Sequence, residues 1–476
     1  MAVSDRLSPL DVSFLYLEER TTPMHVGSVM VFRPAEGGLD WSRLVRHVEA
    51  RIALVPRYRQ RVRFVPGRIA NPVWVDDERF DISYHLRRSA LPRPGSQTQL
   101  EELVARLQAR RLDRSRPLWE LIVVEGLEDG GFAVVTKVHQ TLVDGVNAVD
   151  LGQVVLDDDE DGHEPPLHTW RPGREPSFAE LVASAVTDTL RRPQQLVDTA
   201  RAGLGDLLST SGKAAEALGG LAVAARATRP QPRSPLNVEI GGHRRFAMLA
   251  TDLEDYRRIR AHHVASRLDG DPPGTAVNDV VLATLAGALR TWLQGRGLGV
   301  GPGSVVRALV PMSVKAEVPS DAGAIGSRVA SLLVDLPTGE PSPLMRLHQV
   351  AYQTRSHREA GQALSAPAIA GIAGFAPPTL HSLGARVASG LSRRLFNLVV
   401  TNVPGPQHPL FLDGSRLLAS YPVIPLAKGQ ALGIGLTSYD GGVHYGLNGD
   451  REAMPDLDDL RRCIVDALAE LVEAAR

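Results

Sequence analysis

The chain of 476 residues is long enough for two domains of ordinary size and long for a single hydrophobic core. Its 53 Lys and Arg against 54 Asp and Glu leave no net field to recruit nucleic acid, although local basic patches remain free to meet phosphate groups of a cofactor or lipid. The single cysteine, Cys463, excludes an intrachain disulfide and a thiolate metal cluster, and it fits a reducing cytoplasm.

The N-terminus, MAVSDRLSPLDVSFLYLEE, has no basic flank before an apolar run and does not read as a signal peptide. MHVGSVMVF (Met24 to Phe32) alternates as a strand. Trp41 to Leu54 is predicted as a helix, with Leu44, Val48 and Ile52 on one face. LWELIVVEGL and FAVVTKVH (Phe132 to His139), separated by a turn-like GLEDGG, are predicted to pair antiparallel. After Asp144-Gly145 the spacing becomes helical, so HQTLVDG sits where a strand gives way to a helix. The run DDDED (Asp157 to Asp161) reads as a solvated loop leading into a proline-rich break.

Phe178 to Ala225 is Ala/Leu-rich and helical, a crossover between halves. In the second half FAMLATDLEDYRRI predicts a strand and then a helix near Asp252, with acidic residues at its N-terminus. A long helix begins near Asn278. VVRALVPMSV and RVASLLVDLP read as strands, and RLHQVAYQTRSHREAGQAL as a helix. FNLVVTNVPGP, ALGIGLTSY and VHYGLNGD are strands, and a helix closes the chain. The apolar tract Ala363 to Leu380 is broken by Pro377-Pro378 and falls short of a membrane span, which leaves peripheral contact with a membrane or lipid droplet open. These elements predict an α/β protein with mixed sheets and flanking helices. The expected divisions are an N-terminal domain at 1–175, a helical crossover and linker at 176–240, and a C-terminal domain at 241–476.

The stretch KVHQTLVDG places His139, Gln140, Asp144 and Gly145 together. Asp-Gly alone is a common turn, and the Asp alone a common helix cap. His262-His263 imitates the arrangement, but Asp269 follows six residues after the second histidine rather than four, inside an apparent helix and loop. No HExxH and no close His/Asp/Cys cluster points to a metal, and no GxGxxG follows a first strand to point to a dinucleotide.

Several segments in fixed order carry a family likeness. They are LSPLDVSFLYLEERTTPMHVG, NPVWVDDERFDISYHLRRSALPRPG and LDRSRPLWELIVVEGL, then VNDVVLATLAGALRTWL, RALVPMSV, NLVVTNVPGP and SYDGGVHYGLNGD. Over nearly its whole length the chain resembles the bacterial wax ester synthase/acyl-CoA:diacylglycerol acyltransferase family, within the broader group of CoA-dependent acyltransferases and condensation domains. The resemblance implies two chloramphenicol-acetyltransferase-like domains with a tunnel at their interface. It also implies acyl-CoA, or an acyl-carrier-protein thioester, as donor substrate rather than bound cofactor, and an alcohol or diacylglycerol as acceptor.

In the family's HHxxxDG motif the second histidine is the general base and the aspartate holds the site through a salt bridge. Carried over, the first histidine is His139, the base position is Gln140, and Asp144 and Gly145 complete the motif. A carboxamide hydrogen-bonds but is a very poor Brønsted base, and losing a general base forfeits on the order of 10²–10⁴ in rate. His139 is one residue displaced, which on a strand turns its side chain to the other face.

Asn278 and Asp279 match the family's ND motif and are expected to cap and position a helix. Asn402, Pro404, Gly405 and Pro406 match a turn beside the tunnel, where Pro fixes the backbone and Gly permits close approach; a plain structural crossover reads equally well. Ser313 ends the PMSV strand near substrate but lacks a nucleophile elbow. His25 and His85 lie in matching segments without an assigned role, and Arg307 and Arg328 near the interface read as packing or surface residues. The expected function is an acyl-CoA-dependent O-acyltransferase making wax esters, triacylglycerols or a related ester. Two alternatives stand: a weakly active or inactive acyl-CoA- or lipid-binding homologue, and a specialised enzyme with another acceptor such as an amine.

Overall fold

A computed structural model describes residues 5–143, 151–161, 170–191, 234–265, 275–314, 328–359, 364–365 and 395–476. Helix α1 (Pro9–Leu17) starts at a capping box, in which the Ser8 hydroxyl accepts from the Asp11 N–H while the Asp11 carboxylate accepts from Ser8. Strand β1 (His25–Arg33) follows, then α2 (Trp41–Ile52), whose buried residues are Leu44, Val48 and Ile52, as the spacing predicts. The ribbon β2 (Gln60–Arg63) and β3 (Val73–Asp76), the short α3 (Ile82–His85), β4 (Leu86–Ala90) and α4 (Gln97–Gln108) lead to β5 (Trp119–Glu125) and β6 (Phe132–His139). The last two pair antiparallel. Two short helices, α5 (Gln140–Val143) and α6 (Leu151–Val155), and the longer α7 (Phe178–Arg191) end the described part of this half.

The acidic run is only partly solvated. Residues 158–161 are exposed, whereas Asp157 is buried, ion-paired with Arg51 and bridged through its backbone to Phe411. A solvated loop is therefore the wrong reading for its first residue, because the strand at Phe411 draws that residue inward.

The second half opens with β7 (Arg244–Asp252), α8 (Leu253–Ala265) and α9 (Val277–Gly295). Strands β8 (Val306–Val314) and β9 (Arg328–Leu336) pair antiparallel, and α10 (Pro343–Glu359) and β10 (Leu364–Ser365) follow. After β11 (Leu398–Pro404) come β12 (Phe411–Leu412) and β13 (Ser415–Val423), then β14 (Leu432–Tyr439), β15 (Gly442–Asp450) and α11 (Leu457–Ala474). The β14–β15 turn has Asp440 at φ 42° and Gly441 at φ 83°, the two left-handed positions a type I′ hairpin requires.

Two mixed sheets result. The first runs β12-β13-β1-β6-β5-β4 and the second β10-β9-β8-β11-β14-β15-β7. Strands β12 and β13 come from the C-terminal half yet complete the first sheet, with β13 antiparallel to β1. A division at 240 thus leaves residues 411–423 paired across it. Two further contacts tie the halves, and a third ties the two sheets. A core cluster joins Leu100, Val104 and Val135 to Phe246, Met248 and Val423. Helix α4 covers the free edge of β7, where Gln97 donates to the Met248 carbonyl (3.0 Å) and the Met248 N–H donates to Glu101 (2.8 Å). Where β13 leaves the first sheet it presses on the second so closely that a Cβ on Gly446 would stand 1.8 Å from the Pro422 oxygen.

Candidate active site

All eight residues of β6 are buried, so the strand delivers its last residue, His139, into the interior. Leu118 and Met24 take the next two N–H groups: His139 donates to Leu118 O (2.9 Å) and Gln140 to Met24 O (2.9 Å). That switch of partner ends the ladder and starts the single turn α5. His139 is wholly enclosed. Its Nδ1 accepts from the Thr141 N–H (3.2 Å) and lies 2.9 Å from the Thr141 hydroxyl. An accepting Nδ1 puts the neutral ring's proton on Nε2, which lies 4.0 Å from Glu18 Oε1. Burial, with the Arg114 charge adding to it, lowers the His139 pKa to about 3, so the ring is neutral at physiological pH.

Glu18 is itself fixed. Arg114 donates to its Oε2 at 2.7 and 3.0 Å, and the Met24 N–H donates to its Oε1 at 3.3 Å. The loop between Glu18 and Met24 therefore supports both motif positions, His139 through the carboxylate and Gln140 through the Met24 carbonyl. The C-terminal half holds that loop from outside, with Arg244 donating to the Thr21 carbonyl and Lys428 to Glu19 (2.7 Å). Glu18 and Arg114 lie 96 residues apart in segments that carry the family likeness, but no local spacing marks them as neighbours.

Gln140 is half-buried at the start of α5. Asp144 and Gly145 lie outside the described residues. In the second half Asp279 is fully buried; Oδ2 accepts from the Ala276 N–H (2.7 Å) at the start of α9, and Oδ1 accepts from the Thr354 hydroxyl of α10 (2.8 Å). Asn278 accepts from the Asn402 amide (3.1 Å), which joins the helix start to β11. Pro404 ends β11 opposite Ser438, and Gly405 packs so tightly that a Cβ there would stand 2.6 Å from the Ser438 oxygen. Pro406 accepts from the Asp440 N–H (3.2 Å). Ser313 is the backbone partner of Val329 in the β8–β9 ladder.

The other singled-out histidines and Arg307 have structural settings. His25 lies 2.8 Å from the Gln108 carbonyl and His85 2.8 Å from that of Trp119, both buried. His262 and His263 sit within α8, with His263 2.8 Å from the Thr275 hydroxyl. Arg307 is a bidentate partner of Asp335 at 2.6 and 3.1 Å.

Two mixed sheets interlocked by β12 and β13, with His139 and Gln140 at the end of a buried strand of the first, match the architecture of the wax ester synthase/diacylglycerol acyltransferase class. Its wax ester synthase/diacylglycerol acyltransferase catalytic domain matches residues 7–281, and the WS/DGAT C-terminal domain matches 325–472. A wax ester synthase/diacylglycerol acyltransferase from Marinobacter aquaeolei VT8 has the same fold at TM-score 0.67 and 30% identity, covering 99% of both chains. "Probable diacyglycerol O-acyltransferase tgs2" of Mycobacterium tuberculosis is 34% identical over 480 residues, 99% of each chain. The corresponding tgs3 protein is 44% identical over 262 residues, 54% of this chain and 96% of its own. The first condensation domain of the CDA synthetase shares the fold at TM-score 0.57 and 13% identity, over 99% of this chain and 97% of its own. The chain belongs to the wax ester synthase/diacylglycerol acyltransferase family and is an acyltransferase.

Proposed function

We propose that this acyltransferase moves an acyl group from CoA to the hydroxyl of a diacylglycerol or long-chain alcohol, in a passage between the two halves, with Gln140 orienting the reactants. The acceptor oxygen attacks the thioester carbonyl carbon, the C–S bond breaks, and the acceptor's proton leaves with the thiolate as free CoA. Gln140 supplies an amide N–H to the carbonyl oxygen or an amide oxygen to the acceptor hydroxyl. It does not remove the proton, so proximity and hydrogen bonding carry the reaction. Asp144, by the family pattern, holds the turn through a salt bridge, and His139 is a positioning residue.

The observation that carries this reading is the confinement of His139. Its Nδ1 is engaged by Thr141 and its Nε2 side is closed by Glu18, so the imidazole next to Gln140 is not free to replace the missing base. The Asn278–Asn402 bond and the tight Gly405 turn support a shaped wall for the passage from the second half. We place the enzyme in the cytoplasm, in peripheral contact with the membrane or lipid droplet that holds its apolar acceptor. Among the described residues no helix is long and apolar enough to cross a membrane.

Purified protein given acyl-CoAs of several lengths with a panel of alcohols, diacylglycerols and amines tests the proposal by product mass and thiol release together. Ester formation matched by free thiol is the expected result. Amide formation would move the acceptor to an amine, and binding without turnover would leave an acyl-CoA-binding homologue.

A further inference from the structure

A cleft of about 670 Å³ opens between the C-terminal end of α4, the edge strand β4 and β5, within the size range of small-ligand sites, about 300–1,000 Å³. Six of its lining residues are cationic (Arg87, Arg88, Arg110, Arg111, Arg114 and Lys137) and three are acidic. The acids are already engaged. Glu18 is paired with Arg114, Glu120 with Arg87 at 3.4 Å, and Asp113 accepts from the Ser115 N–H and hydroxyl. Arg88 is held by Glu125 from the neighbouring strand.

Lys137, buried at the back of the cleft, donates to the carbonyls of Leu107 (3.1 Å) and Arg110, and so satisfies the C-terminal end of α4. That duty is therefore not left for the side chains of Arg110 and Arg111. Both are exposed, and neither forms an ion pair among the described residues. The cleft thus carries surplus positive charge on two guanidinium groups, whose planar donor sets match phosphate oxygens. Glu18 both lines the cleft and stands 4.0 Å from His139 Nε2, so a single carboxylate separates the cleft from the buried histidine next to Gln140.

We propose that this cleft holds the phosphate groups of the CoA donor, with Arg110 and Arg111 as its phosphate-binding cations. The proposal rests on the CoA-donor reading above, and a binding measurement separates the two because it needs no turnover. CoA and phosphate-free pantetheine are titrated calorimetrically into the full chain, wild type, Arg110→Gln/Arg111→Gln and Arg110→Lys/Arg111→Lys, at low and moderate salt.

The expected result is a preference for CoA over pantetheine that falls at least tenfold in the Gln pair. The Lys pair should recover part of it, and salt should erode it in the wild type. An unchanged preference in the Gln pair, an equal loss for both ligands, or no wild-type preference for CoA would each overturn the proposal. A parallel sedimentation arm uses phosphatidylglycerol vesicles. Vesicle capture lost in the Gln pair, with CoA binding intact, would assign the cleft to a lipid headgroup and overturn it as well.

Discussion

His25, His85 and His139 all have their pKa lowered chiefly by burial, His85 to about 4 and His139 to about 3. In the unfolded chain each titrates near 6.5. Below that value the unfolded state takes up protons that the native state refuses, so stability is present in full above about pH 6.5 and is lost as pH falls toward the folded values. Each histidine contributes a slope on the order of 1 kcal/mol per pH unit in that window. The melting temperature should fall steeply between pH 6.5 and 4.5; a flat profile there would mean that the native rings accept protons. The sequence placed His139 beside Gln140 and Thr141, but not beside Glu18 with its Arg114 partner, because those two come from earlier segments that reach β6 only when the chain is packed.

Among the elements, those with a local period were legible. Helix α2 has its apolar face at Leu44, Val48 and Ile52, the β5–β6 pair is joined by a short turn, and β14 and β15 stand as two strands where the alternation put them. Strand β13 was not legible, since its partner β1 lies some 390 residues earlier and nothing local says which sheet it joins. The cover that α4 lays over β7 was hidden for the same reason. Glu101 there accepts from Gln97, the Met248 N–H and Arg461, at 2.8, 2.8 and 3.0 Å. Glu101→Ala leaves the buried Met248 N–H without its acceptor and strips Arg461 of one of its two carboxylate partners, the other being Asp458, and should cost about 1–3 kcal/mol. Glu101→Gln, which keeps an acceptor oxygen, should cost less. Urea unfolding of the two variants checks the order, and an unchanged midpoint for the alanine variant would contradict a supporting role for this seam.

At the scale of the molecule, the exchanged strand, the α4–β7 seam and the arginine on the Thr21 carbonyl make each half part of the other's support. Gly446→Ala drives a methyl into Pro422 where β13 crosses between the sheets. It should destabilise the protein by about 1–3 kcal/mol while keeping a single calorimetric transition; two separated transitions would mean that the halves fold independently. The same interlock holds the loop that carries Met24 and Glu18, and so sets where Gln140 stands. Replacing Gln140 by histidine restores an imidazole at that position and tests the arrangement most directly, with Gln140→Ala as control and ester formation from acyl-CoA followed in parallel with wild type. A gain of about tenfold or more in Gln140→His, together with a loss in Gln140→Ala, is the predicted result. Equal ester-forming rates in all three proteins would contradict it and take position 140 out of the reaction.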